Sequence, residues 1–302
     1  MTEQSKPRWS IVIPAYMPGE NLEVAVDSVI AAMAGRHDFE VVVVDDASPD
    51  PISLTKYGPP VRVDRNDQNL GAVANFNRAI DRALGELIHV LHADDYVQTG
   101  FYETLESGLE TEGVVAAACG VQRVDGKGML IETMKPELAA ADVWPQAFER
   151  LAVANRLPAV SIVAKRTTYE AVGDFDESLV HAADWDLWIR FSRAGDFFYD
   201  PSPLATYRVH DAQHTASLAS SGKNIDEAIE VIERLPSRVG SSEARQLMTR
   251  AFLYRAVYAA RSSGRALRAG HSRTAAIQIG ASLRCALLGA RTFVFGPGRR
   301  ES

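Results

Sequence analysis

Cysteine is scarce in this 302-residue chain: Cys119 and Cys285 are its only two, far apart in sequence. Two distant thiols make no disulfide framework, so the expectation is a protein of a reducing cytoplasm. No run reaches the ~20 apolar residues of a membrane-spanning helix, because Arg284 and Arg291 interrupt the best candidate. Met1 to Pro7 is polar and carries no signal-peptide apolar core. Two nucleotide signatures are missing as well. No Gly-x-Gly-x-x-Gly follows the first apolar run and no Gly-x-x-x-x-Gly-Lys-Ser/Thr occurs anywhere, which argues against dinucleotide dehydrogenases and P-loop enzymes. Lysine is absent from Arg245 onward, where eleven arginines face one acid, Glu301. That stretch is formally +10 in a chain of −7, so the residues before it carry −17. Such polarity favours an anionic partner or the acidic body itself, and a solvated helix face accounts for it too. Without interleaved stacking aromatics it does not read as a nucleic-acid site.

The rest is ordinary globular composition, 46% hydrophobic and 24% charged. Trp9 to Pro14 reads as a buried strand, Glu20 to Ala34 as a helix, and Phe39 to Val44 as a central parallel strand. Val61 to Val63 is a short third strand, Asn69 to Leu84 a helix, and Leu87 to Leu91 a strand. Phe101 to Leu109 and Val114 to Val121 continue the alternation. A longer insert from Gly126 to Pro158 holds a helix around Val143 to Ala154. Val160 to Ala164 and Leu204 to Val209 read as strands flanking a helix from Asp184 to Ala194. Beyond Ala216 only helices follow: Ile225 to Leu235, Glu243 to Ser262 and Arg273 to Leu288. This rhythm implies an α/β fold with a doubly wound, mostly parallel sheet, helices on both faces and a C-terminal helical extension.

Ligands of such sheets collect at the carboxyl ends of the strands. Pro14-Ala15-Tyr16 and Asp45-Asp46 lie there. Tyr16 is placed to stack on a planar base and Asp46 to accept the imide N–H of uracil or thymine, while capping of the next segment explains the aspartates equally. Asn69-Leu70-Gly71 opens a helix whose N–H groups can face a ligand, or simply makes a tight turn. After the fourth strand stands His92-Ala93-Asp94-Asp95, with Asp94 the strongest metal candidate, since Mg²⁺ and Mn²⁺ take one or two carboxylates. His210 can complete the set, Mn²⁺ tolerating an imidazole. Asp184-Trp185-Asp186-Leu187-Trp188 offers either a helix cap or a general base beside a tryptophan-shaped acceptor pocket.

In order and spacing, Val12–Tyr16, Val43–Asp50, Asn69–Gly71, His92–Asp95, Asp184–Leu187 and Tyr207–His210 resemble glycosyltransferase family 2, inverting enzymes of GT-A fold. The likeness covers roughly residues 9–215. It departs from the family pattern at His92, Ala183 and Met17, where an acid, a glutamate and a polar residue are usual. The resemblance implies a catalytic domain over 1–215, with a nucleotide-sugar half to about 122 and an acceptor half from 123, and a helical region over 216–302. It implies a UDP- or dTDP-type donor bound by Pro14, Ala15, Tyr16, Glu20, Asp45, Asp46, Asn69, Gly71, Asn75, Ala93 and Asp94. It further implies Mn²⁺ or Mg²⁺ on Asp94, Asp95 and His210, acceptor contacts from Trp185 and Asp186, and Asp184 as the base that deprotonates the acceptor hydroxyl. The acceptor class stays open among saccharides, lipid-linked and small molecules. So does the tail's role, between packing, a homodimer contact and peripheral membrane contact. A nucleotidyltransferase and a sugar-nucleotide-binding module without transfer activity are the alternative readings.

Overall fold

The computed structural model describes residues 6–209 and 221–297. They fall into two compact units, 6–145 with 157–177 and 190–209, and 146–156 with 178–189 and 221–297.

The first unit is built on one mixed sheet. Strands β1 (Trp9–Ala15) and β2 (Phe39–Asp45) pair in parallel across helix α1 (Asn21–Ala32). Every residue of β1 is buried, as its continuous Ile-Val-Ile run requires of a strand covered on both faces. Leu22, Ala25, Val26 and Val29 form the buried face of α1 at helical spacing. Strand β3 (Val61–Arg65) adds to β2; helix α2 (Ala72–Arg82) then returns the chain to β4 (Leu87–Val90), on the other side of β1. The order β3-β2-β1-β4 therefore reverses direction between β1 and β4. A crevice opens at such a switch point beside the carboxyl ends of the strands.

Past β4 come β5 (Tyr96–Val97), α3 (Phe101–Leu109), β6 (Val114–Asp125), β7 (Leu130–Thr133) and β8 (Asp142–Val143). Strand β9 (Ile162–Lys165) enters antiparallel between β4 and β6, and β10 (Asp196–Val209) runs parallel to β6. The sequence reading starts this last strand at Leu204, past Pro201 and Pro203, residues that interior strands disfavour. The sheet instead accommodates them in an irregular register between Asp200 and Ala205. Gly120 permits it: a Cβ there would stand 2.4 Å from the Pro201 carbonyl oxygen. Likewise the helix expected from Val143, α4, begins only at Ala147 and ends at Val153, since Val143 pairs with Phe198 as part of β8.

The second unit holds α4, the residues of α6 (Ala183–Ala194) up to Ile189, and α7 (Lys223–Glu233), α8 (Ser241–Arg268) and α9 (Ser272–Phe295). Ile225, Ile229, Ile232, Leu247 and Phe252 are buried within it. Helices α8 and α9 form an antiparallel hairpin. The Ser263 hydroxyl donates to the Ala275 carbonyl and the Ser282 hydroxyl to that of Ala256, both at 2.8 Å. Residues 146–156 and 178–189 thus group with the tail helices, where the sequence boundary at 215/216 assigns them to the catalytic domain. The reason is long-range: the Trp185 indole N–H donates to the Leu151 carbonyl, and Asp186 pairs with Arg234 and Arg238. No helix among the described residues is long and apolar enough to cross a membrane.

Candidate active site

At the carboxyl ends of β1 and β2 two tight loops lean on each other. The Asp46 amide donates to the Ala15 carbonyl at 2.8 Å and the Met17 amide to the Ser48 hydroxyl at 3.0 Å. Met17 (φ +47°) and Ala47 (φ +56°) sit in the left-handed region, a strained state for side chains with a Cβ that persists where the surroundings impose it. Pro14 and Ala15 are buried as strand residues, whereas Tyr16 is half exposed with its ring available beside the switch point. Glu20 is exposed ahead of α1 and its side chain makes no capping bond.

Behind these loops three polar residues of the expected nucleotide set also make internal bonds. Asp45 is fully buried; Arg65 pairs with it and the Ser48 amide donates to it at 2.9 Å. Burial pushes its carboxyl pKa up, but the donors from Ser48, Ile52 and Arg65 outweigh this and hold it below the usual range. Asp46 is buried too. Its Oδ1 accepts from Asn66 Nδ2 and the Leu70 amide, both at 2.9 Å, and its Oδ2 from the Gly71 amide at 3.0 Å. Asn69 Nδ2 donates to the Asp46 carbonyl at 3.1 Å. Asn75 is buried, donating to the Val44 carbonyl and accepting from Asn66. Asp46 therefore shapes the 69–71 turn. Gly71, at φ +87°, supplies the left-handed turn that starts α2.

The next loop over carries the acidic pair. His92, Asp94 and Asp95 offer ligand atoms all within 4.8 Å of one another. Asp95 is buried: its Oδ1 accepts the Arg208 amide at 2.9 Å, while its Oδ2 has no hydrogen-bond partner among the described residues and lies 3.8 Å from His92 Nδ1. Burial, and then the neighbouring Asp94, push the Asp95 carboxyl well above its ordinary value. A buried carboxylate oxygen left without a donor is costly, and a cation there would relieve it. Two carboxylates and an imidazole suit Mg²⁺ or, with the nitrogen ligand, Mn²⁺. Arg208 closes the loop from β10, its Nε donating to the Asp94 carbonyl at 3.0 Å and its guanidinium lying 5.6 Å over the Tyr96 ring. His92 stacks on Phe76, ring centres 5.2 Å apart. The sequence reading quoted both His92 and Arg208 without giving either a place in the site; the signal for them was their position inside the two quoted motifs. Ala93 lies half-buried in this loop, and His210 falls outside the described residues.

In the second unit, Asp184 is half-buried at the start of α6. Its Oδ2 accepts from Asn155 Nδ2 at 3.0 Å and its Oδ1 from the Trp185 amide at 2.6 Å. Just ahead, the His181 and Ala182 amides both donate to Glu227, at 2.6 and 2.9 Å. The two residues expected to contact the acceptor also lie here. Trp185 is buried, with the Arg255 guanidinium 4.5 Å over its ring, and Asp186 is buried between Arg234 and Arg238. Both side chains hold the unit together.

The sequence profile described as glycosyl transferase family 2 matches residues 10–164, just over half of the chain. An uncharacterized glycosyltransferase of Rickettsia typhi is 28% identical over 221 residues, 69% of this chain and 66% of that protein. The chain thus spans just under two thirds of that relative's length. An uncharacterized protein of Mycobacterium tuberculosis is 26% identical over 242 residues, 73% of each. Among solved structures, S. aureus TarS 1–349 in complex with UDP-GlcNAc superposes with a TM-score of 0.66 at 14% identity, covering 95% of this chain and 93% of that one. That likeness is one of fold. The matched segment runs from β1 through the acidic loop to β9, and with it the chain belongs to glycosyl transferase family 2.

Proposed function

We propose that this protein transfers a sugar from a UDP- or dTDP-type nucleoside-diphosphate donor to an acceptor hydroxyl, with inversion at the anomeric carbon. The observation that carries this reading is the buried Asp95 Oδ2, without a hydrogen-bond donor among the described residues, beside Asp94 and His92 at the carboxyl end of β4. The family membership and the fold shared with a UDP-GlcNAc-bound protein support it. In this reading residues 1–122 form the donor half, with Tyr16 stacking on the base and Gly71 keeping the start of α2 open to the ligand. Residues 123–215 form the acceptor half.

Asp94, Asp95 and His92 would hold the cation, with His210 a further ligand by family resemblance. When bound, a divalent ion neutralises charge on a leaving diphosphate. Asp184, oriented by Asn155 and the Trp185 amide, takes the proton of the acceptor hydroxyl. The acceptor oxygen bonds to the anomeric carbon as the bond to the diphosphate oxygen breaks, and that electron pair leaves with the diphosphate. No covalent sugar–enzyme intermediate is needed.

Thermal melts with UDP and dTDP, each with and without Mn²⁺ or Mg²⁺, test the donor assignment. Saturation at a hundred times Kd stabilises by about 2.7 kcal/mol. That gain should require metal and vanish in Asp94→Ala. Asp184→Asn should keep the gain while transfer falls by ~10²–10⁴. Absence of any nucleotide response overturns the donor assignment; full transfer by Asp184→Asn overturns the base.

A further inference from the structure

The C-terminal hairpin shows apolar side chains where a solvated helix carries polar ones. In α9 the buried stripe is Ala275, Gln278, Cys285, Gly289 and Thr292. At 100° per residue the opposite side of the helix is Ile279, Leu283, Leu287 and Val294, exposed by 48, 63, 72 and 58%. Helix α8 repeats the arrangement. Away from its buried stripe lie Leu253, Val257 and Leu267, exposed by 50, 52 and 62%. The helices meet beside these rows: Leu253 packs against α9 at Gly289 of its buried stripe, 3.6 Å from where a Cβ would stand.

Charge follows the same geometry. Arg250, Arg261 and Arg268 in α8 and Arg273, Arg284 and Arg291 in α9 recur at steps of eleven and seven residues. Each trio therefore lines one flank of its helix beside the apolar row. From 244 to 297 there are nine arginines and no Lys, Asp or Glu.

We propose that this face docks on an anionic phospholipid bilayer, the hairpin lying in the plane of the headgroups with its apolar rows in the acyl boundary. Apolar rows alone would suit many partners; the flanking charge decides among them. A second copy meeting this face across a two-fold axis would set arginine against arginine, with Glu243 at the start of α8 the one acid among the described residues of the hairpin and Asp226 of α7 already engaged by Arg284. A nucleic acid would satisfy the arginines and leave the apolar rows wet. An anionic membrane satisfies both, and no helix of the pair is apolar enough to cross it. The surface does not depend on the donor assignment and stands or falls separately.

The full chain is mixed with vesicles of phosphatidylcholine alone and of phosphatidylcholine with phosphatidylglycerol in equal parts, and bound protein is separated by flotation. Binding is expected on the mixed vesicles, weakening with salt, and not on phosphatidylcholine alone. Leu283→Glu with Leu287→Glu should lower the partition coefficient at least about tenfold. Arg261→Gln and Arg268→Gln should each lower it about fivefold. All four positions are exposed, so the far-ultraviolet circular dichroism should be unchanged; Val257→Glu is a second probe from the other helix. No binding to the anionic vesicles overturns the proposal, as does binding that the leucine and valine variants leave intact. Sedimentation showing a dimer that Leu283→Glu dissociates also overturns it, in favour of a second copy.

Discussion

Replacing Asp46 separates a residue that contacts a ligand from one that builds the loop. The carboxylate is buried and accepts three hydrogen bonds, from Asn66 Nδ2 and the Leu70 and Gly71 amides. Asp46→Ala strands all three donors, and Asn66 is in turn bonded to Asn75. Hydrogen bonds to a charged group contribute about 1.5–3 kcal/mol each and do not add fully, so the expected loss is about 3–5 kcal/mol. Asp46→Asn is the sharper probe. Its amide oxygen can serve at the Oδ1 site, which receives two donors, but its NH₂ then faces the Gly71 amide, donor against donor. The expected loss is about 1–3 kcal/mol. In a domain of this size each kcal/mol lowers Tm by about 2–4 °C, so both variants should melt measurably earlier without any nucleotide present, the alanine variant first. A variant that melts like the parent chain and loses only nucleotide affinity would refute the structural role and leave Asp46 a base contact.

Two further predictions follow from buried groups. Asp186→Ala leaves Arg234 and Arg238 without their shared carboxylate and should cost about 3–5 kcal/mol, read as a lower urea midpoint; unaltered stability would return Asp186 to the acceptor site. His89 is fully buried and neutral, its ring nitrogens 3.1 Å from the Tyr102 hydroxyl and the Val160 carbonyl, and burial drives its pKa from 6.5 down to about 3. Between those values the unfolded chain binds the extra proton, so stability is full above pH 6.5 and declines as pH falls toward 3, by up to about 1.4 kcal/mol per unit. His89→Gln can keep both hydrogen bonds and should flatten that slope; an identical slope in the variant would show that another group titrates.

The chain by itself determined a good deal. Unbroken apolar runs in β1 and β2 specify strands buried on both faces, and alternation with amphipathic helices specifies the layered α/β order. That order alone places Tyr16, Asp46 and Asp94 at strand ends. The excess of arginine in the tail was countable without coordinates, although only the helix faces show which arginines flank which leucines. Tertiary structure decided the rest. Strand β9 reads as a strand in the sequence, but its antiparallel pairing between β4 and β6 joins residues far apart in the chain, and the prolines of β10 lie in an irregularity that Gly120 makes room for; neither pairing leaves a local periodicity. Whether a carboxylate serves a ligand or the fold depends on the donors that reach it. For Asp46 these come from 20 to 25 residues away, and for Asp186 from 48 and 52. Hydrogen bonding acts only over a few ångströms, so only the folded arrangement distinguishes these acids from Asp95, whose buried Oδ2 meets no hydrogen-bond donor among the described residues.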